Sequence, residues 1–243
     1  MITNALGVSD AEARQIAGRW KDRHLAFSPT RGAYVLIPPQ FRTWGAVPAS
    51  HFIDDMMRFL GHRYYVGFLS AAEIHDAAHQ RPQVFQVVTD AHLRDRDFGR
   101  VRLRFIRSAD VARRPTIVRN TPTGTVTVST PEVTILDMTS APQHSGGLSN
   151  VATVIAQLLE DDNLNPSELA AVAAGYPAPV VQRTGWLIEL AARETGHEID
   201  LTELSAAAAR RSRPVPLATG TGIGGARDDR WNVIVNADVE PDL

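Results

Sequence analysis

The 243-residue chain contains no cysteine. Disulfide cross-links, thiolate metal centres and thiol nucleophiles are therefore excluded, and the composition fits a reducing cytoplasm. No apolar run approaches the ~18 residues that a bilayer-spanning helix needs. The opening stretch, MITNALGVSDAEARQ, lacks the basic-then-apolar layout of a secretory signal, so neither membrane nor export is expected. No internal repeat is visible, which argues against a solenoid. The formal charge is only −2, too small for general adhesion to polyanions. Hydrophobic residues make up 44% and charged residues 21%, enough for an ordinary globular core.

The charge is unevenly spread. Residues 1–42 carry six basic side chains (Arg14, Arg19, Lys21, Arg23, Arg31, Arg42) against three acids. Residues 81–119 carry ten arginines against four aspartates, and the remainder of the chain is acidic. Local basic segments in a near-neutral protein point to an anionic partner on particular faces.

Ser9-Asp10-Ala11-Glu12 has the form of a capping box and opens a helix running to about His24, with Ala13, Ile16, Ala17 and Trp20 on one face. A short helix over 2–6 and a turn at Gly7-Val8 are expected before it. Leu25–Phe27 and Tyr34–Ile37 read as two strands joined by Ser28–Gly32, and Pro38-Pro39 ends the unit. Helix, turn, helix and hairpin make the order of a winged helix-turn-helix, in which the second helix presents polar side chains to a DNA groove. A residue at the wing tip, here Arg31, would touch phosphate without reading sequence.

A second region begins near Thr43. An amphipathic helix is expected over Ser50–Leu60 with Gly61 as its stop, and another helix over Tyr64–His79. Val84–Thr89 and Gly99–Ile106 read as strands, and in the latter Val101, Leu103 and Phe105 alternate with Arg100, Arg102 and Arg104. Thr116–Arg119 and Thr125–Ser129 continue the sheet around a turn at Pro122–Gly124. From Thr130 the pattern is helical, with a stripe of Val151, Val154, Ile155, Leu158 and Leu159 and a start signal at Asn165-Pro166-Ser167-Glu168. A long helix follows over Val180–Thr195 and a shorter, alanine-rich one over Leu201–Arg211, then a Pro/Gly-rich loop and a closing strand at Trp231–Val235. The expected fold class is α+β: a partial winged helix-turn-helix over 1–43, then a larger domain over 44–243 with a small, mainly antiparallel sheet and a helical C-terminal part.

The segments RGAYVLIPPQFRTWG (31–45), FIDDMMRFLGHRYYVGFLSAAEIHDAAHQRPQVFQVVTD (52–90), STPEVTILDMT (129–139), GGLSNVATVIAQL (146–158) and WNVIVNADVEPDL (231–243) together resemble the AbiEi-type antitoxins of bacterial toxin–antitoxin systems, in their actinobacterial version. The resemblance implies a DNA-binding winged helix-turn-helix, repression of the protein's own operon at operator repeats, and opposition to a neighbouring nucleotidyltransferase-like toxin through the C-terminal domain. It implies no catalysis and no cofactor. The family's DNA-binding unit normally has a further helix in front, so the unit here is expected to be a shortened one.

Candidate DNA contacts are Arg14, Gln15, Arg19, Arg23 and Arg31, weighed against an ordinary solvated helix face. Arg100, Arg102 and Arg104 form a second candidate row facing nucleic acid or a protein partner, weighed against a strand whose arginines discourage edge pairing. His75 and His79, at i and i+4, invite a zinc-hydrolase reading, but an Asp replaces the usual Glu and a structural pair is preferred; no metal is expected. Gly220–Gly225 lacks the Gly-Lys-Ser/Thr of a phosphate loop. Asp54-Asp55 and Glu160-Asp161-Asp162 read as exposed helix surface. A regulator that senses a ligand or another protein is the alternative to the antitoxin reading.

Overall fold

The computed structural model describes residues 9–78, 82–209, 213–220, 222 and 224–243. The helix expected over 2–6 and its turn lie outside these residues. Within them the chain forms two compact units. One comprises Met1–Tyr65, Gln83–Ala112 and Val118–Thr127; the other comprises Val66–Pro82, Arg113–Ile117 and Val128–Leu243.

The first unit opens with helix α1 (Asp10–Asp22), and the expected capping box is formed. The Ser9 backbone N–H donates to Glu12 Oε2 at 2.9 Å, and the Glu12 N–H donates back to Ser9 Oγ at 3.4 Å. Two otherwise orphaned helix-start donors are thereby satisfied. Ala13 and Ala17 are buried, while Glu12, Arg14, Gln15 and Arg19 are exposed. Strands β1 (Ala26–Thr30) and β2 (Ala33–Leu36) pair antiparallel around Arg31-Gly32. Gly32 takes φ +87°, a left-handed conformation that the tight turn requires and that glycine adopts without strain. A 3₁₀ turn over Pro39–Trp44 follows, then helix α2 (Ile53–Leu60), stopped by Gly61 at φ +73° as expected.

Six strands form the larger sheet, in the order β5-β6-β4-β3-β8-β7. They are β3 (Tyr64–Val66), β4 (Phe85–Thr89), β5 (Arg96–Phe98), β6 (Val101–Arg107), β7 (Thr116–Thr121) and β8 (Gly124–Ser129). The expected α+β class is found, and the sheet carries both kinds of pairing: β5 and β6 pair antiparallel, and β4–β6 and β3–β8 pair in parallel. Parallel neighbours cannot be joined by a tight turn, and long connections separate β3 from β8 and β4 from β6. Phe27, Phe52 and Phe98 pack as one aromatic cluster, with ring centroids 5.2–6.1 Å apart.

The helix expected over Tyr64–His79 is replaced by two elements, β3 and a short helix α3 (Phe68–Ile74). Tyr65 and Val66 are fully buried strand residues, and Gly67 is extended (φ −130°, ψ −175°), so the helix begins only after it. It ends at His75, and Asp76 turns the chain into the left-handed region at φ +60°.

The second unit is largely helical. Helix α4 (Pro131–Ser140) is buried from Glu132 to Thr139 and forms the centre of its core. Helix α5 (Leu148–Glu160) buries the whole expected stripe, Val151, Val154, Ile155, Leu158 and Leu159. Helix α6 (Pro166–Ala173) starts as its sequence predicts, with Asn165 Oδ1 accepting from the Ser167 and Glu168 N–H groups at 3.0 and 3.1 Å. Helices α7 (Ala178–Thr195) and α8 (Thr202–Ala209) complete the layer. A small sheet of β9 (Val215–Pro216), β10 (Ala226–Asp228) and β11 (Val233–Val235), in the order β10-β11-β9, packs on α7. The Trp231 ring fills the place that a Cβ on Gly185 would take, and the two N–H groups of Gln182 Nε2 are shared among the carbonyls of Trp231 (3.0 Å), Arg213 (3.2 Å) and Asn232 (3.3 Å).

Candidate nucleic-acid interface

Helix α1 and the β1–β2 hairpin set out the first group of candidates. The capped start of α1 fixes which face is buried, and Ala13 and Ala17 define that face. Gln15 then lies near the middle of the opposite face, with Arg14 and Arg19 to its sides. Arg23 is the C-cap residue of α1, and its side chain is exposed. Arg31 is exposed at the tip of the hairpin. The hairpin is braced by Ser28, whose single O–H is shared between the carbonyls of Thr30 (2.8 Å) and Ala33 (2.9 Å), and by an Arg96 guanidinium on the Pro29 carbonyl. Hydrogen bonding to Ser9 holds the Glu12 carboxyl below its ordinary pKa of 4.5, so it stays ionised as the cap of α1.

The arginine row on β6 is organised differently. Strand β6 lies between β5 and β4, so its side chains guard no sheet edge, and the edge-blocking role weighed from sequence does not apply. Asp97 is directly opposite Arg102 in the β5–β6 register. Arg104 Nε lies 3.6 Å from Asp95 Oδ2, and Asp95 Oδ1 also accepts from the Phe105 N–H at 3.0 Å. Two of the three arginines therefore face aspartates across a strand, an arrangement that stabilises the pairing. Arg100 is exposed at the start of the strand.

The zinc reading loses its geometric basis. It needed two histidines one helical turn apart, and α3 stops at Ile74. His75 is buried (6% exposed), with Nε2 2.8 Å from the Ser129 carbonyl oxygen. His79 lies outside the described residues. Among the described residues no cluster of three or more His, Asp or Glu side chains is placed to hold a metal ion.

Gly220–Gly225 is followed by strand β10, whereas a phosphate loop needs a helix there. Asn236 ties this loop down, donating to the carbonyls of Gly222 (2.7 Å) and Ala218 (3.0 Å) and accepting from the Ala218 N–H (2.9 Å). Asp54 and Asp55 both bind Arg58 on α2, and Asp161 accepts from Gln157 at 3.2 Å; these carboxylates hold helix ends.

A family model described as the AbiEi antitoxin C-terminal domain matches residues 65–190, just over half of the chain. The chain belongs to the AbiEi antitoxin family. Membership supports the role of antitoxin in a toxin–antitoxin system. The AbiEi match spans β3 to most of α7 and so takes in residues of both compact units. No curated protein matches the chain. Among solved structures, the chain is similar in fold to the RV2827C protein from Mycobacterium tuberculosis, with a TM-score of 0.60 at 17% identity, covering 92% of this chain and 82% of that one. Among the described residues of this AbiEi protein, no helix is long and apolar enough to cross a membrane.

One surface feature of the AbiEi chain carried no sequence signal strong enough to single it out: the exposed indole of Trp44 on the 3₁₀ turn, 37% accessible. Its segment, QFRTW, has neither helical nor strand periodicity.

Proposed function

We propose that this chain is the antitoxin of a nucleotidyltransferase-like toxin, that it also represses its own operon by binding operator DNA, and that it does both in the cytoplasm without catalysis of its own. The family match over residues 65–190 carries the antitoxin reading, and it falls within the region 44–243 assigned to neutralisation. The DNA reading rests on the capped helix α1 and the braced hairpin, which project Arg14, Gln15, Arg19, Arg23 and Arg31 from rigid supports. Arginines on such supports meet phosphate, and a central glutamine reads a base edge.

Growth rescue and a promoter reporter test the two parts separately. The neighbouring nucleotidyltransferase is induced while either the full chain or its Arg14→Ala/Arg19→Ala/Arg31→Ala variant is supplied in trans. Rescue by both proteins, with repression lost only in the variant, is the expected result. If the soluble full chain fails to rescue, the antitoxin assignment falls. If the variant represses as well as the parent, the DNA assignment falls. Within the set, Arg31→Ala lowers operator affinity without altering sequence preference, whereas Gln15→Ala relaxes preference at one base position.

A further inference from the structure

Trp44 is held from two sides and left open on a third. Its turn starts at Pro39, after Pro38, and is ended by Gly45 in the left-handed region at φ +75°. The ring of Phe41 meets Trp44 edge-on, with centroids 6.0 Å apart and planes at 67°, and it meets His51 in the same way at 5.7 Å and 85°. The backbone is pinned as well: the Trp44 carbonyl accepts from the Arg100 N–H at 2.9 Å. This approach depends on Gly99, which has φ +56° and where a Cβ would overlap the Trp44 carbonyl oxygen. An indole fixed at both ring and backbone loses little further freedom when it meets a ligand.

The surroundings are cationic. Arg42 lies on the same turn and Arg100 is joined to Trp44 by that backbone bond; both are exposed, and among the described residues neither is ion-paired. Burial lowers the pKa of His51, so its ring is neutral near pH 7 and joins the cluster as an aromatic group. The compact unit that carries these residues has fifteen Lys and Arg against nine Asp and Glu, a formal charge of +6.

We propose that Trp44, steadied by Phe41 and flanked by Arg42 and Arg100, is a stacking surface for an unpaired base of a single-stranded nucleic acid. A base offers a planar face to the indole, and its 5′ and 3′ phosphates meet the two guanidinium groups. Bases inside a duplex are stacked on one another and reach an indole only by unstacking, so the surface discriminates single strands from duplex. The inference uses none of the residues assigned to operator binding and stands independently of that reading.

The test is fluorescence anisotropy with the full chain. The probes are labelled oligo(dT) and oligo(rU) of twelve nucleotides and a blunt duplex of the same length. Trp44→Ala is expected to weaken single-strand binding about tenfold and leave duplex binding unchanged. Trp44→Phe keeps most of the affinity, because a ring remains. Arg42→Ala/Arg100→Ala weakens single-strand binding and lowers the slope of log affinity against log salt by about 1.4. Thermal unfolding midpoints equal to the parent's confirm that each variant is folded; should Trp44→Ala misfold, the Phe and double-arginine variants decide. The proposal is overturned if the parent does not bind the single strands, if Trp44→Ala binds them like the parent, or if it weakens duplex and single strand equally. It is also overturned if Arg14→Ala/Arg19→Ala/Arg31→Ala abolishes single-strand binding. Loss of duplex binding alone in that last variant supports both the operator reading and this one.

Discussion

The hydroxyl of Tyr64 donates to Asp54 Oδ1 at 2.9 Å and accepts from the Thr127 N–H at 3.3 Å. Burial, reinforced by the Asp54 carboxylate, pushes its pKa well above the ordinary 10.0. The sign of the consequence follows from proton linkage. Above pH 10 the unfolded chain loses this proton and the folded chain keeps it, so stability falls as pH rises from there toward the folded-state value. Tyr64→Phe is expected to flatten that alkaline loss in denaturant titrations at successive pH values, and to cost about 1 kcal/mol at neutral pH from the lost hydrogen bonds. An unchanged alkaline slope would show that Tyr64 is not its source. Tyr64 could not be singled out from sequence, because its partners lie 10 and 63 residues away. The capping pair Ser9–Glu12 was legible, because both partners sit within one helical turn. The same contrast divides the candidate site. Exposure of Arg14, Gln15, Arg19 and Arg31 follows from local periodicity, whereas the aspartates facing Arg102 and Arg104 come from strand pairing that periodicity does not encode.

At the level of elements, the Gly61 stop and the Asn165 start located one end each of α2 and α6, since caps and glycine stops act within a few residues, and the apolar stripe located α5. The segment Tyr64–His79 was misread because a three-residue buried strand is too short to show a period of two, and its apolar run continues into α3. The junction of α7 with the small sheet was equally invisible, although its chemistry is simple. Gly185 in mid-helix gives up helix propensity, and the Trp231 ring occupies the space gained. Gly185→Ala improves propensity by roughly 1 kcal/mol in an open helix. Here the added methyl collides with the indole and forces it out, so a net loss of about 1–3 kcal/mol is expected in chemical denaturation. A stabilised variant would mean that Trp231 moves aside without cost.

Over the whole molecule, the formal charge of −2 conceals two opposed halves. The compact unit holding α1, the hairpin and β4–β6 carries +6, whereas the other has ten Lys and Arg against eighteen Asp and Glu, or −8. The basic segments 1–42 and 81–119 mark part of this segregation in the sequence, but only the fold shows that most of both share one unit. The four arginines proposed to contact operator DNA, Arg14, Arg19, Arg23 and Arg31, predict a slope of about −3.6 for log affinity against log salt, or roughly a hundredfold loss between about 50 and 200 mM. Anisotropy titrations over that range check it, and a slope near zero would remove the phosphate contacts. The packing of Trp231 against Gly185 has a practical use as well. Trp231 is sealed from water at 1% exposure and Trp44 is open at 37%, and they belong to different units. Their fluorescence emission should therefore sit at opposite ends of the indole range, one blue and one red. Trp20 and Trp186 also emit, so in a Trp20→Phe/Trp186→Phe background denaturation curves recorded at the two edges of the spectrum would read the two units separately, and superimposable curves would mark the chain as a single cooperative folding unit.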